Sequence, residues 1–411
     1  MKRLRVLHIT PSVRLLGARR SLLALVKELA GTRVESLVVV PARGQLTDEF
    51  DKLRIPYRVV FLPPWRKGKS WLTMARQVSA LRAIVEEFQP DVIHCNEIYP
   101  NPHALVAASG GGVRSELISR MLLRRPLRPQ QIPVVTHMRL SVNDRLITNY
   151  YLADATRLIA VSHGAAADFD AYSWKQALVR VVYNGIDFEP FAAARSRRQA
   201  TRDELDFTPD QFVIAQIGLM MPRKRPRFLI DAAPEILAQV PQARFLFIGD
   251  SSPGQQDYLS GLKARVEELG VADKFRWLPF QTDIPRYFAA ADLNMLVSDE
   301  EGFGRVILEA AAAGTPTVGS RVGGIPELIE DGVTGFLLGS QGADDEAFWR
   351  EKSALVDIVS RLASEPAFAQ AMAAAADARA RERFGLDQYI NGCVEVFEEA
   401  VAEYQKRRDP W

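Results

Sequence analysis

The residues from Asp299 to Gly319, DEEGFGRVILEAAAAGTPTVG, combine carboxylates with a glycine-rich turn and a helix pattern. Three acidic residues and a Gly-Phe-Gly turn follow a predicted strand that ends at Ser298, and an alanine-rich helix is predicted from Gly304 to Gly314. Backbone N–H groups at the start of such a helix bind phosphate and hydroxyl groups, and glycines let a ligand approach closely. The segment therefore predicts a site for a phosphorylated or polyhydroxylated ligand.

Two carboxylates of this segment, Glu301 and Glu309, are spaced for a shared ligand. Glu301 precedes the turn and Glu309 lies one to two turns into the helix, so they can accept hydrogen bonds at two points along an extended polyol. The alternative is an acidic cluster that the helix dipole favours, with Glu309 in solvent. The spacing alone leaves both interpretations open.

Short β-rich runs alternate with helical stretches along the chain, which is the pattern of parallel sheets with crossover helices. The alternation stops at a turn signal, Asn184-Gly185-Ile186-Asp187, and then restarts. We predict an α/β protein with an N-terminal domain, 1–187, joined by the C-terminal helix of about 387–411, and a C-terminal domain, 188–386. The predicted strands are Arg5–Thr10, Ser36–Pro41, Tyr57–Leu62, Asp91–Cys95, Pro133–Thr136, Arg157–Val161, Arg180–Tyr183, Phe212–Gly218, Arg244–Gly249, Lys274–Leu278, Leu293–Val297, Thr315–Gly319 and Gly335–Leu338.

The composition is that of a globular protein with two oppositely charged halves. The 411 residues include 52 Lys+Arg and 50 Asp+Glu, and 47% are hydrophobic, which excludes a single small domain, a disordered chain, a collagen and a coiled coil. The net charge of +2 hides an asymmetry. The residues up to Pro190 carry 27 basic and 16 acidic side chains, a net +11, whereas the remaining 25 basic and 34 acidic side chains give −9.

Cysteine usage and hydropathy indicate a reducing, cytoplasmic location. Cys95 and Cys393 lie far apart, so no disulfide framework is predicted, and no run reaches the ~18 apolar residues of a membrane span. Two segments mix basic and bulky apolar residues, Pro63–Arg76 and Gly110–Gln131. They predict either contact with an anionic membrane, which would place the protein on the inner face of the cytoplasmic membrane, or solvated loops.

Several segments, in order along the chain, together resemble the retaining GT-B glycosyltransferases of family 4, also called glycosyl transferases group 1. Asp299–Gly319 resembles the E-x7-E region of that family. The resemblance implies the GT-B architecture, two Rossmann-like parallel-sheet domains facing a central cleft, with the donor in the second domain and the acceptor on the first. The other matching segments are LGARRS from Leu16, DVIHCN, VTH ending at His137, VSHGAAADF, VVYNGIDFEPF, IGLMMPRKRP and RVGGIPELIEDGVTGFLL.

The resemblance also implies the site residues. Three catalytic residues are implied: Lys224 would neutralise the departing nucleoside diphosphate, Glu301 would contact hydroxyls of the donor sugar, and His137 would contact the donor. Considered alone, a strand-end histidine such as His137 is more often bonded to backbone. The implied donor-binding residues are Gly17, Gly218, Arg223, Leu278 and Pro279 at the base, Gly302, Phe303, Gly304, Val306, Ile307, and Glu309 at the ribose hydroxyls; the implied acceptor-binding residues are Asn96, Glu97 and Arg139.

The sequence departs from the family at two positions. In the segment IGLMMPRKRP, which resembles a phosphate-binding loop of the family, Leu219 stands where the family has an arginine directly after the glycine that matches Gly218. This removes a fork-shaped contact to the diphosphate. Either Arg223 or Arg225 is a candidate to replace it. In the segment LGARRS, the family has two glycines in a row where this chain has Leu16 and Gly17. Leu16 in place of the first glycine predicts a loop that lies further from the donor.

The predicted function is a retaining transfer of sugar from a UDP- or GDP-sugar to a hydroxyl of a saccharide or lipid-linked acceptor, in cell-envelope polysaccharide or glycolipid biosynthesis. We expect no cofactor and no metal, because Asp299-Glu300-Glu301 supplies too few oxygens for a hard cation. Nucleic acid is not an expected partner, because Arg223-Lys224-Arg225 has no aromatic platform. The alternatives are a nucleotide-sugar epimerase or a phosphorylase on the same fold, and a non-catalytic sugar-binding protein.

Overall fold

The computed structural model of the chain describes residues 3–65, 71–121, 130–251, 255–339 and 345–408. Packing divides the chain into two compact units, Met1–Gly185 with Leu386–Trp411, and Ile186–Gly385. The domain boundaries predicted from the sequence lie within two residues of these divisions.

Each predicted β-rich run contributes a strand to one of two parallel sheets, so the prediction of two parallel-sheet α/β domains is confirmed. The runs in the centre of each sheet are rich in β-branched and aromatic residues and are buried, as expected of strands covered on both faces, whereas the runs at the sheet edges are partly exposed. The strands are β1 (Leu4–Ile9), β2 (Val34–Val40), β3 (Tyr57–Val59), β4 (Val92–Cys95), β5 (Val134–Met138), β6 (Arg157–Ala160), β7 (Val179–Val181), β8 (Phe212–Ile217), β9 (Ala243–Ile248), β10 (Phe275–Leu278), β11 (Leu293–Leu296), β12 (Thr317–Ser320) and β13 (Gly335–Leu338).

Several strands are shorter than predicted, and β3 and β12 show two different physical reasons. The edge strand β3 stops at Val59 rather than Leu62, because its partner β2 ends at Val40, the residue paired with Val59. β12 starts at Thr317 rather than Thr315, because the intervening Pro316 has no N–H for the sheet.

The helices cover the faces of the two sheets and include a long C-terminal helix. This last helix, predicted over about 387–411, extends over Leu386–Arg408 among the described residues. In chain order the helices are α1 (Gly17–Leu29), α2 (Gln45–Leu53), α3 (Trp71–Phe88), α4 (Asn101–Ala108), α5 (Val113–Met121), α6 (Asp144–Asn149), α7 (His163–Ala167), α8 (Lys175–Leu178), α9 (Glu189–Ala194), α10 (Arg198–Glu204), α11 (Pro226–Gln239), α12 (Gln256–Glu268), α13 (Pro285–Ala290), α14 (Arg305–Ala312), α15 (Ile325–Leu328), α16 (Asp345–Ser364), α17 (Pro366–Arg383) and α18 (Leu386–Arg408).

The first unit has a seven-stranded sheet in the order β3-β2-β1-β4-β5-β6-β7. α18 belongs to this unit and packs on one face of the sheet, the face to which Val6, Val92 and Val135 of the central strands point. Cys393 and Phe397 of α18 lie in one buried cluster with Val6, Val92 and Val135. The C-terminal helix thus completes the core of the N-terminal sheet.

The second unit has a six-stranded sheet in the order β10-β9-β8-β11-β12-β13. All six strands are parallel, but the order in which they are added reverses between β8 and β11. After β8 the chain adds β9 and β10 on one side of the sheet, and from β11 it adds β12 and β13 on the other. In open parallel sheets such a reversal opens a crevice at the carboxyl ends of the two strands. The loops after β8 and β11 are therefore the expected ligand-binding region of this unit.

Candidate functional site

Four loops meet at the carboxyl edge of the second sheet and are joined by backbone hydrogen bonds. The loop after β8 is tied to the loop after β11 by the Asp299 N–H, which donates to the Arg223 oxygen at 2.8 Å. It is tied to the loop after β9 by the Met220 N–H, which donates to the Asp250 oxygen at 3.0 Å. The loops after β11 and β12 are joined where Gly324 donates to the Glu301 oxygen at 3.2 Å. The loops therefore hold the predicted site residues of the second unit at one edge.

Lys224 and Glu301 are brought into direct contact by these loops. The Lys224 ammonium donates to Oε2 of Glu301, and their side chains are 19% and 13% exposed. Lys224 lies in a single helical turn, Pro222–Lys224, and its backbone oxygen accepts a hydrogen bond from Nε2 of Gln216 at 2.9 Å. A lysine and a carboxylate, both mostly sheltered from water, thus lie where the topology predicts a ligand.

The turn into α14 depends on Gly304 and places Glu309 on the buried side of the helix. Gly304 has φ +99°, and a Cβ there would lie 3.0 Å from Leu296 and 3.1 Å from Ile307, so both conformation and space favour glycine. Glu309 is 5% exposed, and Arg305 lies 3.5 Å from its carboxylate. The part of the alternative interpretation that placed Glu309 in solvent is therefore wrong, while the role of Glu309 in binding a ligand stays a prediction.

The residues around the start of α14 are packed in different ways. Gly302 and Phe303 are buried, and the ring of Phe303 packs edge-on against Phe384 with centroids 5.8 Å apart. Val306 is half-buried, while the Ile307 N–H donates to the Gly304 oxygen at 2.9 Å and closes the first turn. A diphosphate contact by the Ile307 amide would have to share that bond.

Sequence reasoning from the E-x7-E segment missed Gly323, which makes a close approach possible. Gly323 has φ +52°, and a Cβ built on it would lie 1.7 Å from the backbone oxygen of Glu301. The matching signal was present in the RVGG run, which resembles the family without indicating which glycine is sterically required. Only glycine lets the loop after β12 support the backbone of Glu301 in this way.

The two arginines beside Lys224 have different surroundings. Arg225 is 2.8 Å from Glu351 and 3.6 Å from Asp299, and its guanidinium lies 4.6 Å from the centre of the Phe228 ring. Arg223 is half-buried and donates from Nη1 to the Glu300 oxygen at 3.1 Å. Arg225 is thus held by two carboxylates and a ring, whereas Arg223 contacts the backbone of the loop that carries Glu301.

The implied base-binding residues end β10 on the same edge. Leu278 is half-buried, Pro279 is exposed, and the Leu278 oxygen accepts the Gly249 N–H at 3.0 Å. Gly218, at the end of β8, is exposed, and a Cβ built on it would meet no atom within 4 Å. These residues therefore leave room above the edge formed by β8, β9 and β10.

The predicted acceptor residues of the first unit are held together by Arg139. Its guanidinium donates to the backbone oxygen of Asn96 at 3.0 Å, to Oδ1 of Asn96 at 2.7 Å, to Oδ1 of Asn184 at 2.6 Å and to the hydroxyl of Tyr389 at 3.1 Å. Asn96 in turn donates to the Ala18 oxygen at 3.1 Å. Arg139 and Asn96 therefore position the strand-end loops, and their contact with an acceptor stays a prediction.

Glu97 and Gly17 lie beside this group. Glu97 forms an ion pair with Arg19, and both side chains are 13% exposed. Burial raises the pKa of Glu97, while the charges of Arg19 and Arg139 act in the opposite direction. Gly17 is exposed and is the first residue of α1.

His137 is fully buried in β5 rather than bonded to backbone. Its Nδ1 lies 3.2 Å from Nε2 of His94 and 3.4 Å from Nη2 of Arg139. Burial holds the pKa of both histidines well below its ordinary value, and the charge of Arg139 acts in the same direction. His137 is therefore neutral at physiological pH.

The two basic segments fall partly outside the described residues, Pro63–Arg76 at 66–70 and Gly110–Gln131 at 122–129. Trp65 of the first segment is 3% exposed and packs edge-on against His103 and Tyr151, with centroids 5.1 and 5.9 Å apart. This tryptophan is therefore part of the core and is not available at a surface.

Metal-ligating clusters and membrane-spanning helices were sought in the part of the chain that the structure describes. No three His, Cys, Asp or Glu side chains there are grouped to hold a metal ion. No described helix is both long and apolar enough to cross a membrane.

Comparison with known proteins gives two family matches that meet near the division between the units. Residues 16–190 match the model described as Glycosyltransferase Family 4, and residues 197–377 match the model described as Glycosyl transferases group 1. Two curated relatives are named D-inositol 3-phosphate glycosyltransferase. The protein from Salinispora arenicola is 35% identical over 264 residues, which are 62% of this chain and 57% of the relative. The protein from Mycobacterium marinum is 35% identical over 206 residues, 50% of this chain and 41% of the relative. The chain thus spans about half the length of the curated relatives it matches.

Among solved structures, Anabaena HepE in complex with UDP and glucose is similar over nearly the whole chain. It is 26% identical, with a TM-score of 0.78, and the match covers 96% of this chain and 99% of HepE. Sucrose-phosphate synthase from Thermosynechococcus elongatus, 18% identical with a TM-score of 0.73 over 98% of this chain and 100% of that one, shares the fold. From the two family matches, the two parallel sheets and the similarity to HepE, the chain belongs to the GT-B glycosyltransferases of family 4.

Proposed function

We propose that the protein is a retaining glycosyltransferase that moves a sugar from a nucleoside-diphosphate sugar to an acceptor hydroxyl. The observation that carries the proposal is the meeting of Lys224, Glu301 and the start of α14 at the reversal point of the second sheet. The cation and the helix start suit the diphosphate of such a donor, and the carboxylate suits its sugar hydroxyls.

The donor is bound along this edge by residues with separate roles. Glu309, buried within α14, accepts hydrogen bonds from the ribose hydroxyls, and Glu301 accepts them from the sugar. Leu278 and Pro279 contact the base, with Gly218 at the phosphates. We take UDP as the first nucleotide to test, because HepE was crystallised with UDP and glucose and with UDP-glucose.

Transfer breaks the bond between the anomeric carbon and the diphosphate oxygen and forms a bond from that carbon to the acceptor oxygen. The acceptor attacks the face from which the diphosphate leaves, so the anomeric configuration is retained without a protein nucleophile, and the proton of the acceptor hydroxyl passes to the departing phosphate. Lys224 stabilises the negative charge that develops on the diphosphate, the kind of preorganised electrostatic contribution that is often the largest in catalysis. We propose that this step proceeds without a metal, which activity in the presence of EDTA would support.

The acceptor is proposed to be a polyol or saccharide hydroxyl. The relatives named D-inositol 3-phosphate glycosyltransferase make that inositol phosphate the first acceptor to test. A lipid-linked saccharide of the cell envelope is the second, supported by the +11 charge of the first 190 residues. Sedimentation with anionic liposomes at low salt tests a peripheral membrane location, and absence of binding counts against it.

A ligand screen tests the donor. Saturation with a tight ligand stabilises a protein by ~2.7 kcal/mol at 100-fold over its dissociation constant, so we expect UDP and its sugars to raise the melting temperature more than GDP or ADP. Glu309→Ala should remove most of this rise, whereas Glu365→Ala, a half-exposed glutamate at the end of α16, should not. No stabilisation by any nucleotide would contradict the proposal.

Incubation of donor without acceptor tests the alternative classes. An epimerase would convert UDP-glucose to another UDP-sugar under these conditions, and a phosphorylase would need phosphate. We expect little turnover until an acceptor hydroxyl is added. Retention is then read from the anomeric configuration of the product by NMR.

A further inference from the structure

Three buried histidines stand in a row across the central strands of the first sheet. His8 of β1 is paired in register with His94 of β4, and His94 with Val135 of β5. Side chains alternate along a strand, so His137, two residues after Val135, lies on the same face as the other two. All three residues are fully buried.

Hydrogen-bond distances join the three rings into a chain with polar groups at both ends. Nδ1 of His8 lies 2.9 Å from Nδ1 of His94, and Nε2 of His94 lies 3.2 Å from Nδ1 of His137. At one end, Oγ of Ser36 lies 3.2 Å from Nε2 of His8. At the other, Nη2 of Arg139 lies 3.4 Å from Nδ1 of His137.

The chemistry of the end groups fixes the direction of every bond. A guanidinium only donates, so Nδ1 of His137 accepts, and the proton of this neutral ring is on Nε2. His94 must then donate from Nε2, which leaves its Nδ1 as an acceptor for the N–H on Nδ1 of His8. Nε2 of His8 consequently accepts from the Ser36 hydroxyl.

Neutrality of the three rings follows from their burial. Burial lowers the pKa of His8 to about 3 and holds the pKa of His94 and His137 well below its ordinary value. Each ring therefore has one donor nitrogen and one acceptor nitrogen. A chain of such rings can run in only one direction once one end is fixed.

One donor is left over at the end of this chain. Nε2 of His137 is buried and has no hydrogen-bond partner among the residues that the structure describes. Buried N–H groups are rarely left unpaired, and each exception calls for an explanation, among which a role in binding or catalysis is one. An N–H whose proton is fixed by the rest of the chain is suited to donate to an oxygen of a ligand.

We propose that His94 and His8, in the direction set by Arg139, are positioning residues that hold His137 in the tautomer protonated on Nε2, and that this N–H donates to an oxygen of the bound nucleotide sugar. The second half of this proposal rests on the proposed function. The first half concerns the protein without substrate and is tested separately.

NMR of the full-length protein labelled with ¹⁵N-histidine tests the tautomers, with single substitutions to assign the five rings. We expect the proton on Nε2 in His137 and His94 and on Nδ1 in His8. The Ser36→Ala variant removes the hydroxyl that donates to Nε2 of His8, but the proton of His8 should stay on Nδ1, because Arg139 still sets the direction of the chain. Ser36→Thr should give the same pattern. A proton on Nδ1 of His137, or a charged His137, would overturn the tautomer assignment.

Titration with UDP-glucose tests the contact, and we expect the Nε2–H resonance of His137 to move on saturation. Lack of movement, with binding shown by calorimetry, would overturn the contact alone. Lack of binding of any UDP-, GDP- or ADP-sugar to the wild-type protein would overturn the proposed function, and with it the contact. The tautomer pattern is decided by the spectrum of the free protein in either case.

A double-mutant cycle separates positioning from a general structural role. We expect His94→Leu to lower kcat/KM about tenfold, the value of roughly one hydrogen bond, and His94→Gln to recover part of it because the amide can donate to His137. In a His137→Ala background His94→Leu should have little further effect. Equal losses in both backgrounds, in variants with the wild-type melting temperature, would contradict the positioning role.

Discussion

The ammonium of Lys224 and a carboxylate oxygen of Glu301 form an ion pair across 77 positions of sequence. The pair forms because the two residues follow β8 and β11, the neighbouring strands at which the second sheet reverses direction. Backbone hydrogen bonds hold both loops in place, so the two side chains are positioned next to each other by the fold. A charge held in place before the reaction needs little reorganisation as negative charge develops beside it.

The first prediction concerns that charge. Lys224→Ala should remove ~2–4 kcal/mol of transition-state stabilisation and so lower kcat about 30- to 1,000-fold. The rate is measured as release of UDP with acceptor present. Lys274→Ala is a control, because Lys274 belongs to the same unit and pairs at the surface with Asp273. Near-wild-type turnover in Lys224→Ala would contradict the assignment of this lysine.

The second prediction separates the two arginines that flank Lys224. Arg223→Ala should lower kcat/KM for the donor about tenfold, as expected for one charged hydrogen bond, with little change in melting temperature. Arg225→Ala should instead destabilise the second unit by about 1.5–3 kcal/mol, because it leaves Glu351, whose side chain is 7% exposed, without this partner. Urea unfolding and initial rates on both variants check this, and the reverse pattern would assign the diphosphate contact to Arg225.

The third prediction uses two glycines with positive φ and different surroundings. Gly332→Ala places a Cβ in open space at φ +75° and should cost about 1–2 kcal/mol for the conformation alone. Gly323→Ala adds overlap with the Glu301 oxygen, 1.7 Å from the new Cβ, so it should lower the urea midpoint further and reduce activity at temperatures where Gly332→Ala remains active. Equal effects of the two substitutions would show that the loop after β12 does not support Glu301.

Local patterns were sufficient to predict the strands and the E-x7-E segment, because both depend on residues close together in sequence. β-branched runs predict buried strands, and a glycine turn before an alanine-rich run predicts a helix start. The same reasoning left the environment of Glu309 open, because its burial depends on how α14 packs in the finished unit.

Long-range side-chain contacts could not be predicted in this way. The role of Arg139 in joining Asn96, Asn184 and Tyr389 depends on partners up to 250 positions away, and the row of histidines depends on the register of three strands. Trp65 shows the same limit in the other direction, since its basic neighbours indicate a surface segment while its ring is buried. Composition reports what a segment contains, whereas burial is decided by the rest of the fold.

The fourth prediction is acid destabilisation driven by buried histidine. The pKa of His8 is 6.5 for an unfolded chain and about 3 in the fold, because of burial. Below pH 6.5 the unfolded state therefore binds a proton that the folded state does not, so stability falls as pH falls from 6.5 towards 3. At pH 5 the loss from His8 alone is about 2 kcal/mol.

Urea midpoints between pH 7.5 and 5 measure this loss, to which His94 and His137 add in the same direction. His8→Gln should make the midpoint depend less steeply on pH, because the substituted side chain does not titrate. A midpoint that stays constant between pH 7.5 and 5 in the wild-type protein would show that these histidines are not held neutral by burial.

The fifth prediction is that the thiols report the opening of the first unit. Cys95 and Cys393 are fully buried, and burial raises the pKa of each thiol to about 12. The thiolate is the reactive form, so neither should react with a disulfide reagent in native buffer, while both should react once the protein is unfolded in urea. Both cysteines belong to the same unit, so Cys95→Ala and Cys393→Ala single variants should label at the same rate at low urea if β4 and α18 unfold together. A faster rate at Cys393 than at Cys95 would instead show that α18 detaches from the sheet first, and rapid labelling of either thiol without urea would contradict the buried environment.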